Sequence, residues 1–172
     1  MNELRKGPSR VIGPDEGQSF WQPGPHHGHM TIKVGPGVEN DPDPGFAFGT
    51  QVLPPGCYVR EHGHARNTEI LFIYEGTGSA ELDGVPQRIG PGSTILLGKY
   101  VGHTIPNDGE VDMKFAWFFT PPGLDDVIRA VGIPKSEGDS PPQDFDRPAN
   151  MPEILKAAGY ATPEEIAAAV RE

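Results

Sequence analysis

Short apolar runs alternate with glycine and proline turns along most of the sequence, and this punctuation limits the folds open to the chain. The 172 residues include 23 glycines and 20 prolines, spread between the runs and not collected in one tract. In the clearest run, VDMKFAWFFT at 111–120, a β-branched, aromatic or other apolar residue occupies every second position. That period of two is typical of a half-buried strand. About eight or nine such segments between regular turns predict an all-β domain, built as a closed or double-sheet antiparallel barrel.

The pattern divides the chain into three segments. Residues 1–29 are weakly patterned and are predicted to form an irregular arm. The strand-like runs of 30–122 predict the barrel, and EILFIYEG followed by TGSAELDG predicts a hairpin within it. Residues 123–172 predict a helical tail, packed on the barrel or on a partner subunit. Two of its helices should begin with capping boxes, formed by Asn150 with Glu153 and by Thr162 with Glu165, and Gly159 should end the first of these two helices.

Charge and apolar content exclude several classes of partner. The net charge of −10 argues against nucleic acid, because phosphates require lysine and arginine for neutralisation. No apolar run approaches the ~20 residues of a membrane span, and the N-terminus lacks the apolar core of a signal peptide. The single cysteine, Cys57, fits a reducing compartment. We therefore expect a cytoplasmic protein with neither nucleic-acid nor membrane partners.

The stretch GCYVREHGHARNTEILFIYEG, at 56–76, places two histidines and a glutamate close together. His62 and His64 would point to the same face of one strand. Glu69 heads the apolar inner face of the next strand, where a carboxylate is costly unless its charge is compensated. A divalent cation would compensate it, with His103 as the best fourth ligand. Three imidazoles and a carboxylate suit Fe, Mn, Ni, Co, Cu or Zn; chance proximity and a salt-linked surface patch are the alternatives.

These residues resemble the two sequence motifs of the cupin superfamily over about residues 45–120. The first motif is Gly, five residues, His-x-His, three or four residues, Glu, six residues, Gly, and all its positions are filled by Gly56, His62, His64, Glu69 and Gly76. In the second motif Gly92, His103 and Asn107 match, whereas Gly98 and Tyr100 stand where the family has proline and glycine. The resemblance implies a cupin-type antiparallel β-barrel (a double-sheet jelly roll) with short C-terminal helices outside it. It also implies one metal inside the barrel, bound by His62, His64, Glu69 and His103.

The resemblance to small, quercetinase-like cupins implies a metal-dependent enzyme. The first hypothesis is a dioxygenase that coordinates a phenol, flavonol, β-diketone or similar small aromatic or enolisable substrate to one divalent transition metal per chain, with iron as the first choice. In that group of cupins the residue matched by Glu69 is either a fixed ligand or a proton acceptor. The alternatives are a non-redox lyase, isomerase or cyclase, and a non-catalytic module that binds small molecules. Because cupins are often dimers, we expect a homodimer.

Five further residues are candidates for the substrate pocket. Arg60 is in phase with His62, so its guanidinium either binds a substrate carboxylate or pairs with a nearby acid such as Glu61 or Glu81. Tyr100 precedes the turn before His103. Its side chain either gates the pocket or simply packs against its neighbours. Three residues of the 111–120 run either line the pocket or belong simply to the core: Met113, Phe115 and Trp117.

The sequence PHHGH carries a histidine cluster that is separate from the cupin motifs. His26, His27 and His29 form either a second metal site or a solvated loop. The segment is rich in proline and glycine and contains no carboxylate, so we favour the loop, placed near the mouth of the barrel.

Overall fold

The computed structural model describes residues 9–38 and 44–169. Its strands are β1 (Gln18–Trp21), β2 (His29–Val34), β3 (Ala47–Leu53), β4 (Tyr58–His62), β5 (Thr68–Glu75), β6 (Gly78–Leu82), β7 (Val85–Ile89), β8 (Thr94–Leu97), β9 (His103–Pro106), β10 (Met113–Thr120) and β11 (Ile133–Lys135). Its helices are α1 (Leu124–Val131), α2 (Met151–Ala158) and α3 (Pro163–Ala168).

The strands form two antiparallel sheets around one core. The larger sheet has the order β11-β1-β2-β3-β10-β5-β8, and the smaller sheet has the order β4-β9-β6-β7. Buried side chains of both sheets belong to a single apolar cluster, with Ile73 and Phe115 from the larger sheet and Ala80 and Ile105 from the smaller. The predicted all-β, double-sheet jelly roll is therefore confirmed.

Strand β10 has the alternation that its sequence predicts. Met113, Phe115, Trp117 and Phe119 are all buried, whereas the residues between them are partly exposed. The strand lies between β3 and β5, where Trp117 is opposite Gly49. A Cβ at Gly49 would lie 2.4 Å from the indole of Trp117. Only glycine permits this close approach, so a small residue on β3 makes room for the largest side chain of the core.

The predicted hairpin between EILFIYEG and TGSAELDG is wrong. Strand β5 pairs with β10 and β8, whereas β6 pairs with β7 and β9 in the other sheet. Asp83 and Gly84, both with positive φ, form the β6–β7 turn. An Asp-Gly pair between alternating runs is a strong hairpin pattern, and it identifies the correct partner of β6.

The sequence pattern does not predict strands β1 and β11. Strand β1 lies within the 1–29 segment that was predicted to be irregular, and it pairs with both β2 and β11. Both strands are short, and β11 contains a proline, so neither has the alternating pattern that identifies β10. The larger sheet therefore extends beyond the barrel segment expected at 30–122.

The three helices lie where the tail sequence predicts them, with one difference in capping. Thr162 and Glu165 form the predicted capping box at the start of α3. Asn150 precedes α2 but its side chain makes no capping hydrogen bond, so that predicted box is absent. The φ and ψ of Asn150, −91° and 27°, are not the extended values that aim an N-cap side chain at the helix. Gly159 ends α2 in the left-handed conformation, as predicted.

No helix in the described part of the chain has the length and apolar character needed to cross a lipid bilayer.

Candidate metal centre and substrate cavity

The four predicted ligands converge on one point inside the barrel. Each residue of the set His62, His64, Glu69 and His103 offers one nitrogen or oxygen atom, and these atoms all lie within 4.8 Å of one another. The Nε2 atoms of His64 and His103 lie 3.0 and 3.6 Å from Glu69 Oε2. His64, His103 and Glu69 are 0, 1 and 6% exposed, which excludes a surface patch. The cluster could hold one metal ion.

Three strands and one turn bring these side chains together. His62 ends β4 directly opposite His103 on β9, with the two ring centroids 4.1 Å apart. Glu69 lies near the start of β5. The sequence predicted His64 to lie on the same strand as His62, and this is wrong. His64 lies just beyond β4, in an isolated bridge with Tyr160. The ring of His64 nevertheless reaches the same point, with its Nε2 atom 3.0 Å from Glu69 Oε2.

The hydrogen bonds of two imidazoles determine which ring nitrogen each is able to offer to a metal ion. His62 Nδ1 lies 2.8 Å from the Arg60 carbonyl and His103 Nδ1 lies 3.0 Å from the Val101 carbonyl. A carbonyl only accepts, so each Nδ1 carries the proton and each Nε2 keeps its lone pair. Among the described residues, the buried His103 Nε2 has no hydrogen-bond partner. A metal cation would satisfy that atom, and the donor set therefore fits a divalent metal.

The protonation states also suit metal binding. Burial would raise the pKa of Glu69, but its interactions with His103 and His64 outweigh burial and hold the pKa below its ordinary range. Burial, and then repulsion from His103 and His64, lowers the pKa of His62 well below its ordinary value. An ionised carboxylate and a neutral imidazole are the forms in which these side chains bind metals.

A cavity of about 240 Å³ adjoins the ligand cluster and includes His62, Glu69 and His103 in its lining. Most of its other walls are apolar. The barrel supplies Met30, Val59, Leu71, Ile105 and Phe115, and helices α1 and α2 supply Leu124, Val127, Ile128, Val131, Met151 and Leu155. Helices α1 and α2 of the tail therefore form a cover on one side of the cavity.

The structure divides the five predicted pocket residues. Arg60 and Phe115 line the cavity. Met113 and Trp117 are fully buried but are absent from its lining. Trp117 packs over β3 and donates to the Thr50 carbonyl at 3.3 Å, and Met113 packs against Gly78 of β6. Tyr100 lies outside the cavity with an exposed side chain and positive φ, and its backbone amide donates to the His64 carbonyl. Through its backbone, Tyr100 thus supports the segment around His64 between β4 and β5 (residues 63–67), called the ligand turn.

The histidine cluster of the PHHGH segment does not converge. His27 lies 3.2 Å from Asp144, and His29 packs edge-on against Trp21. His26 lines the cavity with both ring nitrogens buried, so the solvated-loop prediction is wrong for this residue. In the described ranges, the only group of three or more side chains that could hold a metal ion is the one in the barrel.

Two cavity residues of the tail with polar side chains, Arg147 and Tyr160, were not predicted from the sequence. Arg147 lies in the proline-rich connector before α2, and the Tyr160 ring stacks on His62 at 5.1 Å. Residues 159–161 are held against the ligand turn, because Ala65 donates to the Gly159 carbonyl and Ala161 donates to the Gly63 carbonyl, both at 2.8 Å. No sequence motif identifies these residues. The only sequence feature that indicates any of them is the isolated tyrosine directly after Gly159.

The geometry agrees with a comparison against known protein families. Residues 49–119 match the cupin domain model, and this range contains all four candidate ligands. This segment of the chain is therefore identified as a cupin domain. Two curated relatives match this cupin over part of its length: protein SchB of Streptomyces halstedii (30% identity over 74 residues, 43% of this chain and 54% of SchB) and an uncharacterised protein of Methanocaldococcus jannaschii (32% over 71 residues, 41% and 57%). The chain thus spans about half the length of the curated relatives it matches.

Solved cupin structures show the same fold. KdgF from a Halomonas species has a TM-score of 0.56 and 20% identity, covering 69% of this chain and 98% of KdgF. A structure described as a predicted oxalate decarboxylase from Thermotoga maritima has a TM-score of 0.54 and 21% identity, covering 65% and 99%. At these identities the likeness establishes the architecture alone.

The expected homodimer and the cytoplasmic location stay predictions. The outward face of β5 and β8, which the sequence shows to be apolar, leaves Phe72, Tyr74 and Leu96 exposed.

Proposed function

We propose that this cupin is a metal-dependent dioxygenase acting on a small aromatic or enolisable substrate such as a phenol, flavonol or β-diketone. One observation carries the proposal: three of the four convergent ligands, His62, Glu69 and His103, line the same cavity as Phe115 and the apolar residues of α1 and α2. When bound, a divalent transition metal, with iron as first choice, supplies Lewis acidity and oxygen chemistry.

The protein's own residues prepare that site. Backbone carbonyls orient the rings of His62 and His103, so little reorganisation is needed on binding. The apolar side chains of the cover formed by α1 and α2 favour a flat, apolar substrate body. Glu69 is ionised, and its Oε2 atom either stays with the ligand set or accepts a substrate proton.

The second candidate is a non-redox lyase, isomerase or cyclase that uses the same ligands. The fold likeness to the Thermotoga protein described as a predicted oxalate decarboxylase supports keeping this alternative. A non-catalytic binding module is the third candidate.

Metal analysis and oxygen uptake separate the three. Protein purified without chelator should contain about one iron per chain, and oxygen should be consumed when catechol or acetylacetone is added. Zinc in place of iron, with no oxygen uptake, would support the Lewis-acid alternative. A site that stays empty when metal is added would reject both enzymes and leave the binding module.

A further inference from the structure

A second part of the cavity lining is basic. Arg60 on β4, Arg147 on the connector before α2, and His26 on the loop between β1 and β2 all face the same cavity. Three distant segments of the chain thus bring cationic or polar nitrogen groups to one place, although the protein as a whole carries a net charge of −10.

These groups have no carboxylate partner in the described part of the chain. The described ion pairs of arginine involve Arg88 and Arg129, and Glu61, which also lines the cavity, pairs with neither basic cavity residue. Arg60 makes only a long hydrogen bond of 3.5 Å to the Gly24 carbonyl. The alternative raised by the sequence, in which Arg60 pairs with Glu61 or Glu81, is therefore not what the structure shows.

Three nitrogen atoms of this wall are buried and unsatisfied. Within the described residues, Arg147 Nε and both ring nitrogens of His26 have no hydrogen-bond partner. Buried polar atoms without partners are rare in proteins, because each has lost its hydration without replacement. An acceptor brought into the cavity by a ligand would restore these hydrogen bonds.

The groups also repel one another. Burial, and then the charge of Arg60, lowers the pKa of Arg147. Burial, followed by the charges of Arg147 and Arg60, lowers the pKa of His26 to about 3, so this ring is neutral and adds an N–H donor without adding charge. An anion between the two guanidinium groups would relieve the repulsion, and a carboxylate matches their forked geometry.

We propose that Arg60, Arg147 and His26 form a carboxylate subsite, so that the substrate is an apolar, aromatic or otherwise flat molecule that carries a carboxylate in addition to its metal-binding group. The second half of this statement rests on the proposed function; the subsite itself does not. The apolar walls between the ligand cluster and the tail would hold the body of such a molecule.

The test compares a carboxylate with its neutral isostere. Calorimetric titration of the full chain with 3-phenylpropanoate and with 3-phenylpropanamide should give at least about tenfold tighter binding of the carboxylate, which is the size of one charge-assisted hydrogen bond. Arg147→Gln and Arg60→Gln should each remove most of that preference. Arg88→Gln, which removes the same charge from a surface pair with Asp108, should keep it. Equal binding of acid and amide by the wild-type protein would overturn the proposal.

A ligand variant separates this inference from the proposed function. His64→Ala should lose metal and keep the carboxylate preference, because the preference depends on the arginines. If His64→Ala loses the preference while Arg147→Gln keeps it, the carboxylate binds at the metal centre and the subsite is refuted. If the protein contains no iron and consumes no oxygen but still prefers the acid, the dioxygenase proposal fails and the subsite stands. Thermal melts identify any unfolded variant, and the exposed Arg60 then carries the test.

Discussion

The cavity has two walls that differ in origin. The strand wall carries the convergent ligands on β4, β5 and β9, all within the 49–119 range shared with other cupins. The cover wall comes from the loop around His26, from α1 and α2, and from the connector with Arg147, all outside that range. The strand wall supplies the candidate metal ligands and Arg60, whereas the cover wall supplies Arg147, His26 and the apolar residues of α1 and α2. Selectivity for a substrate should therefore depend largely on residues outside the 49–119 match, with Arg60 as the exception.

The largest expected effect tests the strand wall. His64→Ala should weaken metal binding by at least about 100-fold, since even partners of metal ligands are worth 10–100-fold, while the barrel stays folded. Metal content by elemental analysis and the far-ultraviolet circular dichroism spectrum measure the two outcomes. His29→Ala, outside the cluster, is the matched control and should bind metal fully. Stoichiometric metal in the His64 variant would remove this residue from the ligand set.

A second variant tests the contribution of Asn107 to the stability of the strand wall. Asn107 Nδ2 donates to the carbonyls of Leu53 and Val111, at 2.7 and 2.9 Å, and its Oδ1 accepts from the Gly109 amide at 3.0 Å. Asn107→Ala leaves these groups unsatisfied and should lower the free energy of unfolding by about 2–4 kcal/mol. The melting temperature should fall by about 5–15 °C.

Asn150→Ala is the control for that experiment, because this side chain makes no capping hydrogen bond. It should change the free energy of unfolding by less than about 0.5 kcal/mol. Equal losses in the two variants would contradict the assigned role of Asn107.

A smaller effect is expected from the cover wall. Leu155→Ala shortens an apolar side chain that faces the cavity, and it should weaken binding of 3-phenylpropanoate by roughly tenfold while leaving metal content unchanged. Lys156→Ala, on the exposed side of the same helix, should bind the probe normally. Calorimetry measures the binding, and a parallel loss of metal would mean that the two walls do not act separately.

The smallest effect concerns the residue where the walls meet. Tyr160→Phe keeps the ring that stacks on His62 and removes only the hydroxyl, so the metal affinity should change by less than about fivefold. A competition titration with a chelator of known affinity measures the change. A loss as large as that of His64→Ala would show that the hydroxyl is part of the metal site.

The sequence predicts the strand wall well because its information is local. Strand periodicity fixes the faces of Glu69 and of the β10 residues, and the two cupin motifs select His103 from six histidines. The tail helices of the cover wall were predicted, but its basic residues were not, because His26 and Arg147 meet only through the tertiary fold and belong to no pattern of fixed spacing. The β5–β6 hairpin failed for a related reason. Adjacent alternating runs do not reveal that the chain changes sheets at Gly76, whereas the Asp83-Gly84 pair does identify the β6–β7 turn.

The backbone hydrogen bonds that tie 159–161 to the ligand turn have a consequence for motion. Amide hydrogens of Ala65 and Ala161 should exchange with solvent deuterium at one common, slow rate, because they report the same cooperative opening. The cover cannot detach at this end without releasing the backbone around His64. Within the described part of the chain, the exposed 136–149 connector has no such ties to the ligand turn, so we expect its amides to exchange orders of magnitude faster.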